Sequence, residues 1–110
     1  MDKALREEID QLHAEICDCM ADPKRISILY ALGEGRKNVG ELAALLEINR
    51  ATVSRHLKVL RERSMVTTER DGVSIYYSLA DQRVIEALDL LREVLAQILA
   101  QRKTLAEALE

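Results

Sequence analysis

Two thiols and an imidazole, Cys17, Cys19 and His13, fall within seven residues of one another near the start of the chain. Thiolates bind thiophilic metal ions and arsenite and are attacked by oxidants and persulfides, so this segment is a candidate soft-ligand or redox-reactive site. A second group is chemically different. Arg50, Thr52, Ser54, Arg55, His56 and Lys58 gather short polar groups and long cations into nine residues. These are the side chains that hydrogen-bond base edges and pair with phosphates. Arg70 adds a cation beside Asp71-Gly72. Catalytic chemistry has no such support: Gly33-x-Gly35 lacks the third glycine of a dinucleotide loop, no Lys-Ser/Thr follows it, and neither histidine belongs to a nucleophile motif. An enzyme is not expected.

Composition agrees with a binding protein. The chain has 110 residues, 48% hydrophobic, 32% charged and 3% aromatic, which suits one globular domain with an aliphatic core. A core of that size is modest, so a dimer that hides further aliphatic surface is expected. No apolar run reaches the roughly 20 residues of a membrane span and the charged N-terminus is no signal peptide, so a cytoplasmic protein with no membrane partner is expected. Two cysteines one residue apart form no disulfide framework, which implies a reducing compartment. Net charge is −3, but its distribution is uneven. From Pro23 to Leu79, ten basic side chains face six acidic ones, a local +4, while the flanks carry −7. A basic centre between acidic arms suits local contact with a polyanion.

The spacing of apolar residues supplies the elements that hold these groups. Leu5, Ile9, Leu12, Ile16 and Cys19 recur at steps of four and three, predicting a helix over Lys3–Met20 with one apolar seam. Asp22-Pro23 caps and opens a second helix through Ile26, Leu29 and Leu32, ended by Gly33 and Gly35. Asn38 and Glu41 read as a capping box for a short third helix with Leu42, Leu45 and Leu46 on one side. After a turn over Leu46–Asn49, with Asn49 as cap, a fourth helix runs over Arg50–Arg63. Its stripe of Val53, Leu57 and Leu60 turns Ala51, Arg55, Lys58 and Glu62 outward. Val66–Arg70 and Val73–Leu79 are β-prone runs joined by Asp71-Gly72, which suits a type I′ turn. From Asp81 onward Val84, Leu88, Leu91, Leu95, Ile98, Leu105 and Leu109 mark a long helix with a near 3.5-residue repeat.

Two short helices, the second basic and followed by a hairpin, form the plan of a winged helix-turn-helix, a mainly α fold with one β-hairpin. Arg55 is the candidate for bidentate contact with guanine, Arg50 and Lys58 for phosphates, and Arg70 for the minor groove or its backbone.

The sequence also resembles the ArsR/SmtB repressors. Residues 20–29 (MADPKRISIL) resemble that family's ALADPTRLRIL opening, and 52–62 (TVSRHLKVLRE) its recognition helix with Ser54 and His56 as the Ser-x-His pair. Residues 71–79 (DGVSIYYSL) resemble its wing. The resemblance implies a homodimeric repressor that binds a pseudo-palindromic double-stranded operator and is released by a ligand. It places the DNA-binding core at 22–80, the wing at 66–79, and the dimerising helices at 1–21 and 81–110 of a single domain. Leu5, Ile9, Leu12, Ile16, Leu88, Leu91, Leu95 and Ile98 are the expected interface. The family's two common metal sites have no counterpart: Asn38 and Gly40 stand in the cysteine positions of one, and of the other only Asp81 remains, with Arg83 and Val94 in place of histidines.

Cys17, Cys19 and His13 therefore remain as the sensor set, for arsenite, a soft divalent metal ion, an oxidant or a persulfide. In a regular helix the two thiols stand about 200° apart and cannot chelate one ion, while Cys17 shares a face with His13 and Met20. Cys19 on the apolar seam reads first as a buried core or interface thiol. A composite site across two protomers, a repressor with no thiol ligand, and a helical protein-interaction module are the alternatives.

Overall fold

The structure, a computed structural model, describes residues 1–110. Its elements are α1 (Lys3–Leu12), a π turn (His13–Cys17), α2 (Pro23–Gly33), α3 (Val39–Leu46), α4 (Arg50–Glu62), β1 (Val66–Asp71), β2 (Ser74–Leu79) and α5 (Arg83–Ala108). Local signals set most boundaries. Asp22 accepts from the Lys24 amide at 2.8 Å with Pro23 in the first turn of α2. Asn38 and Glu41 exchange side-chain to backbone bonds of 2.8 and 3.1 Å at the head of α3, the capping box that the sequence predicts. Asn49 accepts from the Ala51 amide at 2.8 Å and opens α4. The turn between α3 and α4 is closed by Glu47 in the left-handed region, at φ 54°.

The buried core is small and central. Ile28, Leu29 and Leu32 of α2, Leu42 of α3, and Val53, Leu57 and Leu60 of α4 are all at most 2% exposed, and Cys19, Met65, Val66 and Leu88 close it. Burying a side chain of this kind contributes roughly 1.5–3 kcal/mol, so these three helices and the strand root behave as one unit. The hairpin pairs Val66 with Leu79 through Asp71 with Ser74, and Lys37 bridges to Tyr77 beyond it, with amide bonds of 3.0 and 2.8 Å.

Five expectations are corrected here. The regular first helix stops at Leu12, not Met20; residues 13–17 widen to i→i+5 bonding, with the Asp18 amide donating to the His13 carbonyl at 2.9 Å. Arg63 holds the widened turn, donating to the Ala14 and Glu15 carbonyls. The hairpin turn is Gly72-Val73 rather than Asp71-Gly72, because Asp71 is still paired with Ser74; only Gly72 has positive φ, 64°, at the first central position, as in a type II′ turn. The last helix begins at Arg83, not Asp81, since Asp81 turns back to accept from the Arg83 amide at 2.9 Å. Leu45 does not share the buried side of α3 with Leu42 and is 54% exposed. Leu88 is buried within its own protomer, because it lies on the side of α5 that meets α2, and so drops out of the expected interface set.

The two ends do not join the core. Every residue of α1 is exposed, and α5 beyond Leu88 is exposed throughout. The radius of gyration is 17.4 Å over extents of 60 × 42 × 21 Å, against about 13 Å for a compact chain of this length.

Candidate nucleic-acid interface and sensor segment

Of the ten basic side chains between Pro23 and Leu79, two are held in ion pairs. Arg36 and Arg63 are held by carboxylates: Arg36 by Asp71 and Glu69, Arg63 by Asp18 and Glu15. Arg50, Arg55, Lys58 and Arg70, like Lys24 and Arg61, are exposed and take part in no ion pair. An exposed guanidinium without an internal carboxylate is available to an external anion. Arg55 does no more than reach back to Thr52 Oγ1 at 3.4 Å. Ser54 is exposed beside it, and Thr52 is half-buried.

Arg50 lies against the head of α3. A Cβ on Gly40 would meet its Nη2 at 3.0 Å, so the glycine makes room for the guanidinium. Both residues line an open cleft of about 480 Å³, with Asn38 and Ser54 on one wall and Ser74 and Ile75 of the wing on the other. Arg50 is the charged residue of that lining. Arg70 stands on β1 opposite Ile75, next to the Gly72-Val73 tip, where Val73 is fully exposed.

His56 differs from the reading that placed it with the outward cations. It is half-buried and faces the start of α2, and burial holds its imidazole below the usual value of 6.5. Asp22 opposes that shift, whereas Arg25, Arg55 and Lys24 reinforce it.

The sensor segment is separated by burial. Cys17, at the end of the π turn, is exposed, whereas Cys19 is fully buried and desolvation raises its thiol pKa from the ordinary 9.0. Arg25 donates to the carbonyls of Cys19 and Asp18, which fixes that turn from beneath. His13 is exposed, and no three His, Cys, Asp or Glu side chains converge to hold a metal ion. The two thiols straddle the end of the widened turn, where Asp18 keeps right-handed helical angles and the Met20 amide donates to the Ile16 carbonyl at 3.1 Å. Cys17 lines an open, mostly apolar cavity of about 710 Å³ with Leu12, Ile16, Met20, Met65 and Leu91.

Leu5, Ile9 and Leu12 of α1 and Leu91, Leu95 and Ile98 of α5 are each between 38% and 61% exposed, and Ile16 is half-buried against the core. Leu90, Val94 and Leu99 widen the apolar band on α5. Residues that the one-dimensional pattern does not reveal are the internal clamps. Arg36, Arg63 and the Tyr30-Asp89 bond of 2.7 Å join segments 33 to 59 residues apart, so no local spacing could signal them.

Known proteins share this arrangement. Residues 22–68 match the family described as "Bacterial regulatory protein, arsR family". The HTH-type transcriptional regulator Rv0081 of Mycobacterium tuberculosis is 36% identical over 104 residues, 94% of this chain and 91% of that one. Its crystal structure superposes with a TM-score of 0.76 over 86% of this chain and 95% of that one, at 37% identity. A transcriptional repressor SmtB homolog of Synechocystis is 38% identical over 84 residues, 76% of this chain and 61% of that protein. The homodimeric winged helix-turn-helix DNA-binding domain of Mb0332 from Mycobacterium bovis aligns with a TM-score of 0.75 at 26% identity, over 90% and 91% of the two chains. With its capped helix pair, unpaired basic helix and short wing, the chain belongs to the ArsR/SmtB family of winged helix-turn-helix, DNA-binding transcriptional regulators, which are not enzymes.

Proposed function

We propose that the protein is a homodimeric repressor that lays α4 of each protomer in successive major grooves of a pseudo-palindromic operator and is released when a thiol-directed signal acts at Cys17. The observation that carries the DNA reading is the division of cations. Arg50, Arg55, Lys58, Arg61 and Arg70 stand exposed and free of internal carboxylates on α4 and the wing, while Arg36 and Arg63 are consumed internally. In this reading Arg55 contacts a guanine edge, with Ser54 and Thr52 beside it, and Arg50, Lys58 and Arg70 set register on phosphates. Half-sites would lie about 34–36 Å apart. The apolar faces of α1 and α5 form the dimer seam.

Burial favours one thiol for that role. Cys19 is enclosed and hard to ionise, so the accessible Cys17 receives arsenite, a soft metal ion, an oxidant or a persulfide. Metal capture would need donors from both protomers, since no sufficient set exists within one. The route to DNA is short: Arg63, the residue that follows α4, is bonded to the carbonyls of the π turn that ends at Cys17.

Fluorescence anisotropy on the DNA upstream of its own gene tests both parts. Reduced protein is expected to bind site-specifically, and Arg55→Ala to lose about 1–3 kcal/mol and relax base preference. Arsenite, cadmium, zinc, a mild oxidant and a persulfide donor are then added separately. One should release the wild type and leave Cys17→Ser bound. Release of Cys17→Ser by the same agent overturns the thiol assignment, and absence of specific binding leaves only a protein-interaction module.

A further inference from the structure

The wing carries its own electrostatic liability. Alternation along the hairpin places Glu69 and Asp71 with Tyr76 and Ser74 on one face, and Arg70 with Ile75 on the other. Two carboxylates therefore sit within three residues of the tip, on the element that is to approach a phosphate backbone. Like charges brought together at an interface cost several kcal/mol when unshielded. In this chain a cation from outside the wing pairs with both.

Arg36, in the loop between α2 and α3, reaches across to both. Its Nη2 is 3.0 Å from Asp71 Oδ2, its Nη1 is 3.5 Å from Glu69 Oε2, and its guanidinium carbon stands 4.2 Å from the centroid of the Tyr76 ring. Three partners on two strands fix one planar group from three sides. The neighbouring backbone is fixed as well, since Lys37 exchanges both amide bonds with Tyr77 and extends the sheet beside β2. The cluster of Arg36, Glu69 and Asp71 carries −1; without Arg36 it carries −2.

We propose that Arg36 is a positioning residue for DNA binding: it offsets the charge of the Glu69 and Asp71 carboxylates so that Arg70 and the Gly72-Val73 tip can meet the duplex. This rests on the reading that the wing lies beside DNA. Arg36 itself makes no contact with DNA in this arrangement, so its effect runs through the two acids and disappears when they are neutralised.

A double-mutant cycle measures this, using the full-length dimer and the DNA upstream of its own gene in the anisotropy assay at several salt concentrations. Arg36→Gln is expected to weaken binding about tenfold near 50 mM salt and much less at 300 mM, because the exposed carboxylates are screened. The same substitution in a Glu69→Gln/Asp71→Asn background is expected to cost less than about threefold, and that double variant alone to bind at least as tightly as wild type. Equal losses in both backgrounds would mean that Arg36 touches DNA directly and overturn the proposal. No loss in the wild-type background, or a loss insensitive to salt, would overturn it too. The double variant keeps the test usable should Arg36→Gln unfold. Arg55→Ala, run alongside, keeps the two failures apart: if it too leaves binding unchanged, the DNA-facing assignment of α4 has failed rather than the role of Arg36.

Discussion

Two residues of the same helix face opposite chemical fates, and burial decides between them. Arg55 and His56 are adjacent on α4, yet Arg55 is exposed and unpaired whereas His56 is tucked against the start of α2 and held below its ordinary pKa by desolvation. A histidine whose folded pKa lies below 6.5 binds fewer protons folded than unfolded at mildly acidic pH. Stability is therefore expected to rise with pH through the region below 6.5, and to fall on acidification. Urea unfolding at pH 7.5 and 5.5 checks this: His56→Gln should flatten that part of the profile, while a profile identical to wild type would show that His56 is not the group responsible. The pair Cys17 and Cys19 teaches the same lesson. Both are legible as thiols in the sequence, but which one solvent can reach depended on a π turn and on Arg25 and Arg63 arriving from other elements.

Among the elements, the ones that end on strong local signals were the most legible. Asn38 with Glu41, Asp22 with Pro23, and Asn49 each satisfy amides that a helix start leaves unpaired, so caps and boundaries of α2, α3 and α4 follow from residue type. Asn49 has the largest functional reach, since the turn it caps carries Arg50 and Thr52. Asn49→Ala is expected to cost about 1 kcal/mol of stability and to weaken DNA binding by fraying that turn. Thermal unfolding and anisotropy together check it, and unchanged DNA affinity despite lost stability would show that the first turn of α4 is held by its contacts alone. Elements whose limits depend on distant partners were less legible. The end of α1 was expected at Met20, but residues 13–17 adopt the wider turn whose carbonyls Arg63 engages. The hairpin turn moved by one residue because cross-strand pairing extends to Asp71 and Ser74.

For the whole molecule, the elongated shape is the informative quantity. A chain with twelve buried residues leaves Leu91, Leu95 and Ile98, together with Leu5, Ile9 and Leu12, open to water. Each is a side chain that would contribute roughly 1.5–3 kcal/mol on full burial. Leu95→Glu combined with Ile98→Glu is expected to give monomers by sedimentation velocity, with the winged core still folded, because Leu88 rather than these two residues ties α5 to α2. DNA affinity should fall steeply as the second half-site contact is lost. A dimer that survives both substitutions would place the seam elsewhere.

Composition, periodicity and capping residues were enough to determine that this chain is mainly helical with one hairpin, that its middle carries the positive charge, and that α4 presents Ala51, Arg55, Lys58 and Glu62 to solvent. Those properties depend on residue type and on spacing within one element, where a period of 3.6 or 2 maps sequence directly onto a face. The tertiary structure alone decided which arginines are free, that Cys19 is sealed and Cys17 open, that His56 turns inward, and that Leu88 belongs to the core. Each is set by an element distant in sequence, such as Arg63 against the π turn or Arg36 against the wing, and a contact of that kind has no period for a sequence to show.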